Sequence, residues 1–356
     1  MSKHPSVIFP AEIRRNSMPD KFAMLQEKAE IDGINYQLDS FTARIFRSNI
    51  SSGEVTIPSS IVHNGKSYIV TKLSNHAFER STIHSLRFAS DSEVTSFGTA
   101  CLPDTLERLQ ISARLRELEY CFLGNAKNLT KIEIDPENPY FSIVDGCLYN
   151  RDLTILYIIP RNKRILNLPQ QTVRINPYAG SYSALNKINF PDDSKLKVID
   201  NAAFASTNLT EVNFPPSVTQ LGNFCFENVS LRKATTAGRM LSIGRDCFDK
   251  LSSFTLFVSE DTVVKEPSGN SPIKIVRLNA DGIPMIPKEP PKLTEQKHVE
   301  IRLTEETQPK NKIDRLEDRI LSLENENRLM KIKIGNVKKR MLELEKKMSI
   351  LLPQKD

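Results

Sequence analysis

One apolar pattern returns every 22 to 24 residues in the middle of the chain, and it limits the possible folds more than any other feature. It is clearest where LNKINFP at 185–191 returns as LTEVNFP at 209–215. A unit this short buries its apolar face only against neighbouring copies of itself. The pattern therefore predicts a solenoid, and its period is that of leucine-rich repeats.

Further strand-like copies begin at Ile83, Leu106 and Leu129, and weaker ones at Leu231 and Phe254. The longer interval between Leu129 and Leu185 has room for one additional unit at 164–169 and for an insertion at about 135–160. The insertion contains Asp-Gly at 145–146 between apolar residues, which favours a β-hairpin. We expect this hairpin to project from the solenoid without interrupting it.

The second half of each repeat carries a branched pair and then a small residue followed by an aromatic one. The small residue allows a tight corner, and the ring fills the space between the two layers of the solenoid. We expect the rings to stack in one interior column. The clearest pairs are Ala77-Phe78, Ala203-Phe204, Cys225-Phe226 and Cys247-Phe248.

The pattern at 209–226, together with the segments 36–78 and 137–161, resembles the BspA-like (Treponema-type) leucine-rich repeat family. The resemblance implies a curved solenoid that binds proteins, and many members are cell-surface antigens or adhesins. The expected fold is a leucine-rich repeat solenoid with β-strands on one side and an irregular or short helical convex side. A long α-helical coiled coil is expected to follow it.

We expect five segments along the chain. Residues 1–33 form an appendage that can adopt a helix, and 34–70 form a β-rich cap whose Asn64-Gly65 predicts a hairpin. The repeats occupy 71–258. A Pro-rich linker covers 259–309, with 273–278 as a candidate closing strand, and a coiled coil covers 310–352.

The coiled coil is predicted by apolar residues that alternate at spacings of three and four. A single polar residue, Asn327, lies at an a position, which favours a two-stranded parallel coil. Most of the expected pairs between g and e positions are attractive, so we expect a homodimer, although pairing with another chain uses the same physics. The seam consists of Ile313, Leu316, Ile320, Leu323, Asn327, Met330, Ile334, Val337, Met341, Leu344, Met348 and Leu351.

Charge and motifs argue against several functions. Most of the net charge of +6 lies in 310–356, which leaves the repeats nearly neutral and argues against nucleic acid as a partner. No cofactor, metal or catalytic motif is present, so we predict a protein that is not an enzyme and holds no cofactor. The five cysteines read as free, buried apolar residues.

The exposed side of the first strand layer is the candidate ligand site, because successive repeats align its polar residues into one ladder. Solvation of the strands alone is the competing interpretation for any one of them. The candidate residues are Arg87, Glu107, Arg108, Gln110, Lys131, Glu133, Lys187, Asn189, Glu211 and Asn213, with Ser85, Thr130, Asn186 and Thr210 beside them.

The functional expectation is an interaction scaffold that binds a protein ligand on the concave face and dimerises through the coil. The alternative is a cell-surface antigen or adhesin that reaches the surface without a signal peptide. The sequence shows neither a signal peptide nor a run of apolar residues long enough to span a membrane, so we expect a cytoplasmic protein. Surface association is implied only by the family resemblance.

Overall fold

A computed structural model of the chain describes residues 27–124, 126–249, 251, 253–266 and 273–285. All regular elements in these ranges are β-strands. Most of them belong to two ladders, in which successive repeats pair in parallel. The predicted solenoid is thereby confirmed as a β-solenoid with two strand walls.

The first ladder contains the strands that the repeat pattern predicts, and their inward residues are the recurring Leu, Ile, Val and Phe. Its strands are β4 (Glu54–Ile57), β7 (Ser85–Phe88), β9 (Arg108–Ile111), β11 (Lys131–Ile134), β15 (Ile165–Asn167), β17 (Lys187–Asn189), β19 (Glu211–Phe214), β21 (Lys233–Thr236), β23 (Thr255–Ser259) and β25 (Lys274–Leu278).

The second ladder lies on the side where the sequence predicted irregular or short helical structure, and that prediction is wrong for the described residues. The branched pairs of successive repeats lie side by side in register. Their backbone N–H and C=O groups therefore hydrogen-bond to each other in a parallel ladder. Its strands are β3 (Thr42–Ser48), β6 (Lys66–Leu73), β8 (Ser96–Phe97), β10 (Glu117–Leu118), β14 (Ile155–Ile158), β16 (Arg174–Ile175), β18 (Val198–Ile199), β20 (Gln220–Leu221), β22 (Met240–Ile243) and β24 (Val263–Lys265).

The chain turns back at a corner after most second-ladder strands, and successive corners stack closely. The amide of Asn223 donates to Oδ1 of Asn201 at 2.8 Å, and the amide of Arg245 donates to Oδ1 of Asn223 at 2.7 Å. A Cβ on Gly222 would lie 2.4 Å from the backbone nitrogen of Asn201. The glycine of the repeat is therefore required by the approach of the neighbouring corner.

The predicted aromatic column is confirmed in the second half of the solenoid. Phe204 and Phe226 stack with ring centroids 5.7 Å apart, and Phe226 and Phe248 with centroids 5.5 Å apart. Phe78 occupies the same corner position in the first half and is fully buried. The core divides into two clusters of buried residues that meet around 141–158.

The N-terminal cap begins earlier than the sequence predicted. β1 (Lys28–Ile31) pairs antiparallel with β2 (Ile34–Asp39), so the cap sheet takes in residues that we had placed in the appendage. β2 pairs with β3, and β5 (Ser60–His63) forms a hairpin with β6. The turn of this hairpin is at Asn64-Gly65, as predicted, and both residues have positive φ.

The insertion forms the predicted hairpin, but the hairpin does not project from the solenoid. β12 (Phe141–Val144) pairs antiparallel with β13 (Cys147–Asn150), and β13 pairs with β14 of the second ladder. Cys147, Leu148 and Tyr149 are buried, because they fill the core at this level. Both ladders are interrupted here, since β10 does not pair with β14 and β11 does not pair with β15.

The strand walls continue past residue 258, where the sequence predicted a linker. β24 and β25 extend the two ladders, which confirms 273–278 as a closing strand. The chain then folds back, and the amide of Met285 donates to the carbonyl of Arg277 at 2.8 Å. The remainder of the linker, the coiled coil at 310–352 and most of the N-terminal appendage lie outside the described residues.

Candidate functional site

The first ladder carries two exposed rows of side chains, because strand residues on one face recur at every second position. Its register aligns the candidate residues with others that the sequence analysis had not chosen. In the first half the rows are Glu54, Arg108, Lys131, interrupted at the buried Ser85, and Thr56, Arg87, Gln110, Glu133. In the second half they are Ile165, Lys187 and Asn167, Asn189 on β15 and β17, then Glu211, Lys233, Thr255, Lys274 and Asn213, Thr235, Phe257, Val276 on the sheet from β19 to β25.

The ten candidate residues all lie on or beside this face, and all except the half-buried Gln110 are exposed. Glu107 lies just before β9 and contacts His84 at 3.6 Å. Ser85, which we had placed beside the candidates, is buried instead. The weaker repeat copies at Leu231 and Phe254 could have revealed that the rows continue through Lys233 and Phe257.

The first half of the face concentrates positive charge around one glutamate. Nζ of Lys131 lies 2.5 Å from Oε1 of Glu133, and this contact holds the pKa of Glu133 below its usual value, with Arg87 and Arg108 adding to the effect. Arg108 also lies 3.9 Å from the carboxylate of Glu54. These exposed pairs contribute little to stability, so their charges are available to a partner.

The second half of the face is more neutral and is organised by amide and hydroxyl contacts. Nδ2 of Asn189 donates to Oδ1 of Asn167 at 2.8 Å, and the hydroxyl of Thr235 donates to Oδ1 of Asn213 at 2.7 Å. Lys233 lies over the ring of Phe257 at 5.3 Å. These contacts fix the orientation of the side chains, which lowers the entropy cost of binding a partner there.

A break separates the two halves of the face, between β11 and β15. A cavity of about 310 Å³ lies there, bounded by Thr130, Lys131 and Ile132 of one half, by the hairpin turn 145–146 and by 160–163. Nζ of Lys163 lies 2.8 Å from Oδ2 of Asp145 and lowers the pKa of that carboxyl. This ion pair ties the hairpin turn to the segment leading into β15.

Behind the break a buried arginine holds the two halves together, and the sequence analysis had not singled it out. The guanidinium of Arg161 donates to the carbonyls of Ala126 and Ala179, both at 2.9 Å, and of Ile159 at 3.2 Å. Its backbone amide donates to Leu129. Burial lowers the pKa of this guanidinium to about 10, so it remains charged at neutral pH.

The described residues show no arrangement with evident chemical activity. No group of three or more His, Cys, Asp or Glu among them is placed to hold a metal ion. Burial raises the pKa of the thiols of Cys121 and Cys147 to about 12, which makes them poor nucleophiles at neutral pH. All five cysteines are free. The described part also has no helix with the length and apolar content that a membrane crossing requires.

Stacked repeats whose strands form two parallel ladders define a repeat protein of the solenoid class. Its repeats identify the family. The BspA type leucine-rich repeat region matches residues 24–154 and 173–266 in six copies. The chain therefore belongs to the BspA-type leucine-rich repeat family, as the sequence resemblance implied.

Several bacterial proteins of known structure are similar to this chain. A leucine-rich repeat protein from Eubacterium ventriosum shares 16% identity over 65% of this chain and 77% of its own, with a TM-score of 0.46. The pneumococcal vaccine antigen PcpA shares 16% identity over 71% and 94%, with a TM-score of 0.39. A leucine-rich cell surface protein from Faecalibacterium prausnitzii shares 16% identity over 71% and 76%, also at 0.39. No curated protein shows significant sequence similarity.

Proposed function

We propose that the protein is a non-enzymatic interaction scaffold that binds a protein ligand on the exposed face of the first ladder. The observation that carries this proposal is the register of that ladder, which aligns charged and polar side chains into two rows within each of its sheets. Neighbouring strands lie about 4.8 Å apart, so a ligand can contact several repeats at once. Such extended surfaces are the usual binding sites of solenoid proteins.

The two halves of the face offer different contacts to a ligand. The first half presents arginine and lysine, which suit hydrogen bonds to carboxylates. The second half presents preordered amides together with the half-buried ring of Phe257, which is the kind of aromatic residue that contributes strongly to interfaces. A ligand that covers both halves therefore gains charge complementarity and apolar contact on one surface.

Dimerisation through residues 310–352 is the second part of the proposal. Two solenoids joined by a coil present two copies of the same face. If both copies engage their ligands, the effective concentration of the second contact raises the affinity by about 10²–10⁴-fold. The scaffold can therefore hold a multivalent ligand tightly through individually weak contacts.

The test is proximity labelling in cells from the intact chain, from a chain with Arg87→Glu and Arg108→Glu, and from a chain that ends at residue 309. Lys197→Glu is the matched control, because Lys197 is an exposed cation beside the second ladder. Partners should be labelled by the intact and control chains and lost in the double variant. Equal labelling by the double variant would contradict a ligand site on the first ladder.

The chain that ends at 309 tests avidity, because it keeps the face and loses the proposed coil. Its labelling of the same partners should be weaker than that of the intact chain. A membrane-impermeant label applied to intact cells measures the alternative of surface display. A labelled protein would place the ligand outside the cell.

A further inference from the structure

The break between the halves of the first ladder leaves a strand edge that has no hydrogen-bonded strand partner among the described residues. β11 pairs with β9 on one side only, and the next sheet begins at β15. Elsewhere in its sheet the ladder is continuous, so β11 ends a run of parallel strands inside the solenoid. An edge of this kind is a template for pairing with another chain.

The hydrogen bonds of β11 show which of its backbone groups face the break. The amide of Lys131 donates to the carbonyl of Glu107 at 3.0 Å, and the amide of Asp135 donates to Ile111 at 2.8 Å, both toward β9. Backbone groups of successive strand residues point in opposite directions across a sheet. The amide and carbonyl of Ile132 therefore point toward the break, and Ile132 lines the cavity there.

The charge around the break favours an acidic occupant. Six cations on nearby strands and in the segment leading into β15 face five carboxylates, at Glu54, Glu107, Glu133, Asp135 and Asp145. Ile165, which is 46% exposed on β15, adds one apolar contact on the far side. The cations are Arg87, Arg108, Lys131, Lys163, Arg164 and Lys187.

We propose that the protein ligand inserts an acidic, extended segment at this break. The backbone of the segment hydrogen-bonds to the free edge of β11 at Ile132. Its carboxylates contact Lys131, on the strand beside it, and Arg108, one strand further away. This inference rests on the proposed function and specifies the chemistry of the ligand: main-chain bonds provide affinity, while the alternating side chains provide specificity.

The test uses the full-length protein and a fluorescein-labelled ten-residue peptide of alternating Glu and Thr, with an alternating Lys and Thr peptide for comparison. Anisotropy should show binding of the acidic peptide only. Arg108→Glu should weaken it about tenfold, because a charged contact at an interface is replaced by a repulsive one. Lys197→Glu reverses an exposed charge beside the second ladder, away from the binding face, and should leave affinity unchanged. An equal loss in both variants would show that only bulk charge attracts the peptide, and would overturn the proposal.

Hydrogen exchange at the amide of Ile132 tests the backbone contact separately. Bound peptide should slow this exchange at least tenfold, and unchanged exchange at saturation would overturn strand insertion. Slow exchange without peptide that disappears when 286–356 is deleted, or on dilution, would identify the chain's own tail or a second copy as the occupant. Either result would also overturn the proposal.

If cellular partners are lost in the Arg87→Glu, Arg108→Glu chain while the peptide fails to bind, the proposed function stands and only the strand insertion fails.

Discussion

Phe226 and Phe248 come from successive repeats, and their rings stack with centroids 5.5 Å apart and planes 6° from parallel. The amide of Phe226 donates to the carbonyl of Cys247 at 2.9 Å, so the backbone fixes this spacing. The ring stacking and the backbone hydrogen bond thus set the same spacing between these successive repeats. In a solenoid, stability is approximately the sum of the stabilities of single repeats and of the interfaces between neighbours, and these contacts belong to one such interface.

The aromatic column predicts the cost of removing one ring. Phe204 is fully buried and stacks on Phe226, so Phe204→Ala leaves a cavity and should lower the free energy of unfolding by about 3–5 kcal/mol. The matched control is Phe41→Ala, because Phe41 is 71% exposed. Urea unfolding followed by circular dichroism measures both. Equal stability of the two variants would contradict the role of the column.

The stacked corners predict that a single methyl group is not tolerated at Gly222. The new Cβ would lie 2.4 Å from backbone atoms of Asp200 and Asn201, so the neighbouring corner has to move. We expect Gly222→Ala to cost about 1–3 kcal/mol, in spite of the stabilisation that alanine usually provides over glycine. Gln220→Ala, at an exposed position of β20 two residues earlier, should have little effect in the same urea unfolding measurement.

Much of this fold could be predicted because the same residue pattern recurs in every repeat. The inward residues of the first ladder, the aromatic column and the turns at Asn64-Gly65 and 145–146 all follow from local spacing. The hairpin of the cap at Asp32-Gly33 carried the same turn signal, and both residues have positive φ. The predicted start of the cap, at residue 34, therefore lies after the true first strand, which begins at Lys28.

The features that could not be predicted depend on contacts between repeats. No local pattern distinguishes an exposed hairpin from one that replaces part of a strand wall. The burial of Cys147 and Tyr149 depends on their packing against neighbouring repeats. The same holds for the break in the ladder. Arg161 lies in the segment PRNKR, which reads as a solvated loop until the surrounding carbonyls are seen.

The cysteines give a prediction about reactivity and pH. Burial, and then the carboxylate of Asp200, raises the pKa of the Cys121 thiol to about 12, so at pH 8 it is protonated and unreactive although it is only half-buried. Iodoacetamide at pH 8 should leave the folded protein unlabelled and label every cysteine in denaturant. Asp200→Asn should speed labelling of Cys121, and Cys121→Ser should remove that gain. Equal labelling of Cys121 in the folded and unfolded protein would contradict the raised pKa.

The predicted coiled coil gives a test of assembly. Light scattering with size exclusion should find a dimer for the full chain and a monomer for a chain that ends at residue 309. Leu323→Asp places a charge in the predicted seam and should also give a monomer. Lys339→Asp, at an outward position of the same heptads, should remain a dimer. A monomeric full chain would show that the heptad pattern does not pair with itself.

The buried guanidinium of Arg161 predicts how strongly the two halves of the solenoid are coupled. It donates to the carbonyls of Ala126, on one side of the break, and of Ala179, on the other, so it links the two halves by hydrogen bonds. Arg161→Met keeps the apolar stem but removes the guanidinium donor from the carbonyl of Ala126, at about 1–3 kcal/mol for a buried group. The carbonyl of Ala179 keeps a second donor, the amide of Ile159. Arg161→Lys should restore little, because one ammonium cannot reproduce a planar set of five donors.

The measurement for Arg161 is urea unfolding of the variants beside Arg164→Met, which changes an exposed arginine three residues away. Loss of the contact between the halves should let the two core clusters unfold separately, since each repeat is stabilised only by its neighbours. Arg161→Met is therefore expected to broaden the transition or divide it into two. Arg164→Met should keep the single transition of the unmodified chain. A single, unshifted transition in Arg161→Met would mean that the core packing around 141–158 joins the halves without the arginine.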